Sequence, residues 1–326
     1  KLLWTLVPAF IVLLIIQEMN AHMGIVTDKG LVDLIRENAG VKVTFFIFVA
    51  LLIADLGNTT TEFAGVAGSM MIFGVSKYIS VPVSLALVWL LVVKGNYKIA
   101  ERIFLVFSVC LLMYIVSAIM GKPHWGEIAT AVTHPHMEFN VPYLAIVIGI
   151  IGTTIAPWMQ FYMQSSVIEK GLKMRDYKFT LIDIVIGCLV TVIVAFFIII
   201  ACASTLHANG IQINEAKDAA MALKPLAGNL ASSLFALGLF VASIFSATIL
   251  PLATAFYVCE AFGFEAGIDK KWEEAPEFYV LYTGILILAA GIILIPNAPL
   301  IEISIWSQVI NGLLLPVVLV CMILQK

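Results

Sequence analysis

The chain has 326 residues, of which 62% are hydrophobic and 12% are charged, and its formal net charge is −3. Soluble globular proteins carry about 25% charged residues, so this composition excludes an ordinary soluble domain. The weakly negative balance offers no basic surface for nucleic acid, and we expect the lipid bilayer to be the main surrounding of the protein.

The apolar residues form blocks that, with their flanks, reach the roughly 20 residues that a helix needs to cross a bilayer. Strands of a membrane barrel would be about half as long and would alternate, which is not the pattern here. The blocks predict an all-α membrane protein with nine transmembrane helices, at residues 2–25, 43–74, 79–95, 99–120, 142–169, 179–204, 230–261, 276–296 and 299–325.

Lys and Arg predict the orientation of these spans, because cytoplasmic loops are rich in both residues. With alternating spans, the 18 Lys and Arg residues all fall on one side of the membrane except Lys1, Lys77, Lys122, Lys217 and Lys224. The side that is richer in Lys and Arg also holds the C-terminus. We therefore predict a multi-pass protein of the cell membrane with a cytoplasmic C-terminus. The chain would begin outside, so we expect a further span upstream of Lys1.

The second span carries polar residues. Asp55 and Glu62 are seven residues apart and so share one helix face, with Asn58 between them. Charged groups in a membrane helix usually face a cavity or a partner. In the ninth span, Gln308 and Asn311 also share a face. Both clusters fit two interpretations, hydrogen bonds that hold helices together or the wall of a binding site.

The fifth span is interrupted by Gly152, Thr153 and Pro157. Proline removes a backbone donor and clashes with the preceding turn. Two interpretations are open at this point. One is a simple proline kink, which is common in membrane helices. The other is a discontinuous helix whose freed carbonyls bind an ion near the midplane of the bilayer.

Motifs of an intramembrane enzyme are missing from the sequence. It contains no His-Glu-x-x-His and no Ser–His pairing, and His22 is the one histidine within a predicted span. We therefore predict a transporter that is not an enzyme and that needs no cofactor besides the ion it carries.

Several segments resemble the natural resistance-associated macrophage protein (NRAMP) family of divalent-metal transporters, and the resemblance covers essentially the whole chain. The segments are Ile16-Gln17, Met23-Gly24-Ile25, Leu34-Ile35-Arg36-Glu37, Glu62-Phe63, Gly149-Ile150-Ile151-Gly152 with Pro157, and Ser307-Gln308-Val309-Ile310. The resemblance implies a leucine-transporter-like fold with two inverted five-helix repeats, whose first and sixth helices are broken around the metal.

On this resemblance, the nine spans are the family's helices two to ten in a single transporter domain, residues 1–326. Residues 2–120 would be the first repeat without its first helix, and residues 142–325 would be the second repeat. The implied metal ligands are Thr153, Ala156, Gln308 and Asn311. The implied lining of the site is Trp158, Thr59, Glu62, Asn58, Gly152 and Pro157.

The sequence departs from the family pattern at positions that, on this resemblance, set the selectivity for the metal ion. Family members have Met-Pro-His in the sixth helix, and the matching residues here are Ala156, Pro157 and Trp158. A second family histidine corresponds to Met163, and an acid of the third helix corresponds to Thr59. The arginine pair at the start of the ninth helix is also missing. These departures resemble the magnesium-transporting branch of the family.

The chemistry of the departures favours the same branch. A thioether ligand prefers Mn²⁺, Fe²⁺ or Cd²⁺, and alanine at position 156 removes it and widens the site. Mg²⁺ is a hard ion that keeps several of its waters. The missing titratable groups would otherwise relay protons. We expect a monomer that carries Mg²⁺, and also Mn²⁺, into the cytoplasm without proton coupling. The alternatives are a proton-coupled Mn²⁺/Fe²⁺ transporter of the NRAMP type and a Na⁺-coupled amino-acid carrier of the same fold.

Overall fold

A computed structural model describes residues 2–94, 113–120, 123–135, 137–205, 224–268, 270–296 and 298–324. All regular elements in these ranges are helical. A short 3₁₀ helix, Leu3–Thr5, is followed by the α-helices α1 (Leu6–Thr27), α2 (Leu31–Ile72), α3 (Lys77–Val93), α4 (Met113–Met120), α5 (Trp125–Thr133), α6 (Val141–Thr154), α7 (Pro157–Glu169), α8 (Tyr177–Thr205), α9 (Lys224–Phe262), α10 (Pro276–Leu294) and α11 (Leu300–Ile323).

These helices confirm the prediction of an all-α membrane protein. Within the described ranges, seven helical segments are long and apolar enough to cross a bilayer, and α3 is a shorter apolar helix. Of the fourth predicted span, residues 99–112 lie outside the described part of the chain, and the remainder forms α4. Large apolar side chains such as Phe179, Ile186 and Leu288 are exposed on the outside of the bundle, as contact with lipid requires.

Helix α2 runs through the middle of the bundle and packs against α3, α9, α10 and α11. It bends at Gly40, where a φ of 79° favours glycine because it has no Cβ. The long segment after the bend, Lys42–Ile72, is one of the candidate membrane spans. Because other helices surround it, α2 holds Asp55 and Asn58 inside the protein, where they are buried.

Two glycines let α11 pass close to its neighbours. Gly57 of α2 faces the side chain of Ser307, and Gly152 of α6 faces the backbone of Gln308 and Gly312. A Cβ on Gly152 would lie 2.1 Å from the Gln308 carbonyl oxygen and 2.5 Å from the Gly312 nitrogen. No side chain fits at that point, so α6 and α11 touch through their backbones and Gln308 lies against the end of α6.

A first prediction concerns the close crossing of α6 and α11 at Gly152. Gly152→Ala should force α6 away from α11, because backbone atoms cannot move aside as a side chain can. We expect a loss of about 1–3 kcal/mol in the free energy of unfolding, which is typical of overpacking. Gly149→Ala is the matched control, because a Cβ there meets its nearest atoms at 3.9 Å. Thermal unfolding in detergent measures both variants. Equal melting temperatures would contradict the close crossing.

Candidate ion site at the break between two helices

The interruption in the fifth predicted span is a true break. Helix α6 ends at Thr154 and α7 begins at Pro157. Between them, Ile155 has φ −127° and ψ 62°, and Ala156 has φ −69° and ψ 135°, so neither residue is helical. The span is therefore a discontinuous helix and not a simple proline kink, while ion binding by its freed carbonyls stays a prediction.

Pro157 also decides which carbonyl the break exposes. In a continuous helix, the carbonyl of Thr153 would accept a hydrogen bond from the N–H of residue 157. Proline has no N–H, so this carbonyl has no intrahelical donor. The carbonyl of Ile151 instead accepts from the N–H of Ile155 at 2.8 Å. A free main-chain oxygen at position 153 is a hard ligand of the kind that Mg²⁺ and similar ions prefer.

A cavity of about 200 Å³ lies at the break. Six residues predicted for the site line it: Asn58, Glu62, Thr153, Ala156, Trp158 and Gln308. The rest of the wall comes from α7 and α9, with Met159, Phe245, Ser246, Ile249 and Leu250. Water occupies about 30 Å³ per molecule in the liquid, so the cavity is large enough for an ion that keeps several waters.

The other four predicted site residues lie outside the cavity wall. Gly152 packs against the backbone of α11, and Pro157 produces the break without lining the cavity. The hydroxyl of Thr59 donates to the carbonyl of Asp55 in its own helix at 2.8 Å. Asn311 is fully buried behind Gln308, and no described residue donates a hydrogen bond to its Oδ1.

Behind the cavity, amide side chains connect α2 with α11. Asn58 Oδ1 accepts from Gln308 Nε2 at 3.0 Å and from Asn311 Nδ2 at 3.1 Å. Asn311 Nδ2 also lies 3.3 Å from Gln308 Oε1. The two interpretations of the polar clusters are thus compatible. The same side chains hold the helices together, and two of them, Asn58 and Gln308, also line the cavity.

Asp55 lies one turn further along α2 and is fully buried. Its Oδ1 accepts from Asn58 Nδ2 at 3.2 Å. Its Oδ2 accepts from the hydroxyls of Thr254 at 2.9 Å and Tyr257 at 2.8 Å, both on α9. We did not predict these two α9 partners. The signal available in the sequence was an acid in a membrane span, which needs donors, and two hydroxyl residues three apart among the several that the seventh predicted span contains.

Glu62 connects this cavity with a larger one. The second cavity has a volume of about 560 Å³, and its wall includes Glu62, Ser243, Lys77 and Ser304. The Glu62 carboxylate pairs with the hydroxyl of Ser243 on α9. Among the described residues that line these two cavities, Glu62 is the one carboxylate and the one charged residue common to both walls.

The polar residues that line the cavity carry mostly oxygen atoms as potential ligands. In the part of the chain that the structure describes, no three His, Cys, Asp or Glu side chains group together as a metal site. A thioether is nevertheless near, because Met159 lines the cavity one turn after Ala156. Met159 was not among the predicted site residues, because it does not occupy the position of the family methionine. The cavity therefore offers carbonyl, amide and carboxylate oxygens together with one thioether.

Comparisons with known proteins identify the family of the chain. The profile of the "Natural resistance-associated macrophage protein-like" family matches residues 1–325. The divalent metal cation transporter MntH of Yersinia pestis (strain Pestoides F) is 28% identical over 261 residues, which are 77% of this chain and 63% of that protein. MntH of Klebsiella pneumoniae is 26% identical over 261 residues, with 78% and 63% covered. The chain thus spans less than two thirds of the length of these relatives.

Solved structures show the same fold. The manganese transporter of Eremococcus coleocola, in complex with an aromatic bis-isothiourea substituted compound, matches with a TM-score of 0.74 and 19% identity over 99% of this chain and 72% of that chain. Its H236A mutant matches with a TM-score of 0.73 and 20% identity over 98% and 72%. The chain belongs to the natural resistance-associated macrophage protein family and has its leucine-transporter-like membrane fold.

Proposed function

We propose that the protein transports divalent metal ions, with Mg²⁺ as the main ion and Mn²⁺ as a second one. The observation that carries the proposal is the cavity at the α6–α7 break, which Thr153, Ala156 and Gln308 line. Alanine leaves room there, and carbonyl and amide oxygens are the hard ligands that Mg²⁺ prefers. The relatives named divalent metal cation transporters support the class of substrate. Membership of this family also favours transport of metal ions over Na⁺-coupled transport of amino acids.

We further propose that transport is not coupled to protons. Among the described residues that line the two cavities, none is a histidine. The ion's own gradient and the membrane potential would then drive uptake into the cytoplasm, where we place the C-terminus of this monomeric carrier. A charge of +2 gains about 4.6 kcal/mol from a potential of 100 mV, which is ample for accumulation.

A proton-coupled manganese transporter is the second candidate. Met159 favours it, because a thioether on the cavity wall suits Mn²⁺ better than Mg²⁺. Glu62 favours it too, because a half-buried carboxylate beside the ion path is a possible proton carrier. The two candidates differ in one measurable quantity, the pH inside a vesicle during metal uptake.

The test uses the full-length protein in liposomes that contain a Mg²⁺ indicator and a pH indicator. With a negative interior potential, we expect external Mg²⁺ or Mn²⁺ to enter while the internal pH follows that of protein-free liposomes. Acidification of the interior that rises with the metal concentration would contradict uncoupled transport and support the second candidate. Absence of metal uptake at any potential would contradict both.

A further inference from the structure

Asp55 is a carboxyl group inside the membrane span that does not line the ion cavity. It is fully buried within the membrane span Lys42–Ile72 and does not line the cavity. Its partners Asn58, Thr254 and Tyr257 are all neutral donors. Among the described ion pairs, none involves Asp55. A carboxylate without a cation is costly inside a membrane protein, so packing alone is a poor explanation for it.

The hydrogen bonds show what this carboxylate does to its neighbour. An ionised carboxylate only accepts, whereas a primary amide has a donating and an accepting end and can turn by 180°. Because Asn58 uses its NH₂ group on Asp55 Oδ1, its carbonyl oxygen points toward α11. There, Asn58 Oδ1 accepts from Gln308 Nε2. The Gln308 oxygen Oε1 accepts from Asn311 Nδ2 at 3.3 Å and, like any amide oxygen, has a second lone pair.

The direction of Gln308 matters because this residue lines the cavity. With its NH₂ group donating to Asn58 and one lone pair of Oε1 accepting from Asn311, the second lone pair of Oε1 is left to ligate an ion. The reverse orientation would offer N–H groups, which repel a cation and cannot ligate it. Asn311 supports the same direction, because its Nδ2 lies 3.1 Å from Asn58 Oδ1 and 3.3 Å from Gln308 Oε1.

We propose that Asp55 is a positioning residue for the transported cation, which it never touches: through Asn58 it orients Gln308 so that an oxygen and not an amide nitrogen faces the cavity. The inference rests on the proposed function, since it concerns the same site. It adds that residue 55, by accepting from the Asn58 amide, sets the affinity of the site for hard divalent ions.

The test is a double-mutant cycle on Mn²⁺ binding by the full-length protein, followed through the electron paramagnetic resonance of free Mn²⁺. We expect Asp55→Leu to weaken binding about tenfold, within the range seen for coupled neighbouring residues. In a Gln308→Leu background, the same substitution should change binding less than about twofold, because no amide is left to orient. Thr60→Val is the control in the same helix, because the buried Thr60 hydroxyl bonds only its own backbone, at Leu56. It should leave binding unchanged.

A second variant covers the case in which Asp55→Leu does not fold. Asp55→Asn keeps the volume of the side chain, but its amide has a donating and an accepting end and so no longer holds Asn58 in one orientation. We expect this variant to weaken Mn²⁺ binding about threefold, and to leave it unchanged in the Gln308→Leu background. Equal effects of Asp55→Leu in both backgrounds, or a folded Asp55→Asn protein that binds Mn²⁺ as wild type does, would overturn the role of Asp55. Absence of Mn²⁺ binding in wild type would instead overturn the proposed function.

Discussion

Replacing Ala156 with methionine is expected to raise the affinity of the cavity for Cd²⁺ and Mn²⁺ and to slow Mg²⁺ uptake. Ala156 is buried, precedes the first residue of α7, and lines the cavity. A methionine there adds a soft sulfur ligand and takes volume from the waters that Mg²⁺ keeps. We expect Cd²⁺ to inhibit Mg²⁺ uptake at about a tenfold lower concentration in the variant, which corresponds to about 1.4 kcal/mol.

Two further variants separate the effect of the sulfur ligand from the effect of the added side-chain volume. Ala156→Leu adds similar volume without sulfur, so it should slow Mg²⁺ uptake and leave Cd²⁺ inhibition as in wild type. Met159→Leu removes the thioether that already lines the cavity, so it should weaken inhibition by Cd²⁺. If the methionine and leucine variants at position 156 respond to Cd²⁺ alike, residue 156 does not face the ion, and the basis for magnesium selectivity fails.

Replacing Glu62 with glutamine is expected to raise the KM for Mg²⁺ at least about tenfold. Glu62 is the charged side chain shared by the two cavities. A carboxylate that is partly removed from water attracts a divalent cation by several kcal/mol even at an effective dielectric constant of about 20. Glutamine keeps the size and the hydrogen bond with Ser243 but removes this attraction. Initial uptake rates over a range of Mg²⁺ concentrations give the KM.

The control for this substitution is Glu302→Gln in the first turn of α11. Glu302 is exposed and lines neither cavity, although its neighbour Ile301 lines the larger one. The same chemical change at this position should alter the KM less than about twofold, because water screens an exposed charge. A KM for Glu62→Gln that equals the control would show that the ion does not pass Glu62.

The break at Ala156 could be located from the sequence but not distinguished from a kink. Proline disrupts a helix in both cases. What decides between them is the conformation of the two preceding residues, and that depends on how α6 and α7 pack. The close crossing of Gly152 with α11 fixes the end of α6 and so contributes to the outcome. Such tertiary contacts leave no local pattern in the sequence.

The polar network behind the cavity could be predicted only in part. Asp55, Asn58 and Glu62 share a helix face, which the spacing shows. Thr59 was expected to line the site, yet its hydroxyl bonds the backbone of its own helix, a choice that serine and threonine often make in membrane helices. In α9, Ser246 and Thr248 carry hydroxyl groups as well as Thr254 and Tyr257, so the sequence does not reveal which of them meet Asp55.

Locating a bound ion tests the central claim most directly. Crystals of the full-length protein soaked in Mn²⁺ would show the ion by its anomalous scattering. We predict a single strong peak in the cavity at the α6–α7 break, within about 5 Å of Gln308 Oε1 and of the Thr153 carbonyl, a distance that allows one water between ion and ligand. A fully occupied Mn²⁺ site elsewhere in the protein, with this cavity empty, would contradict the account.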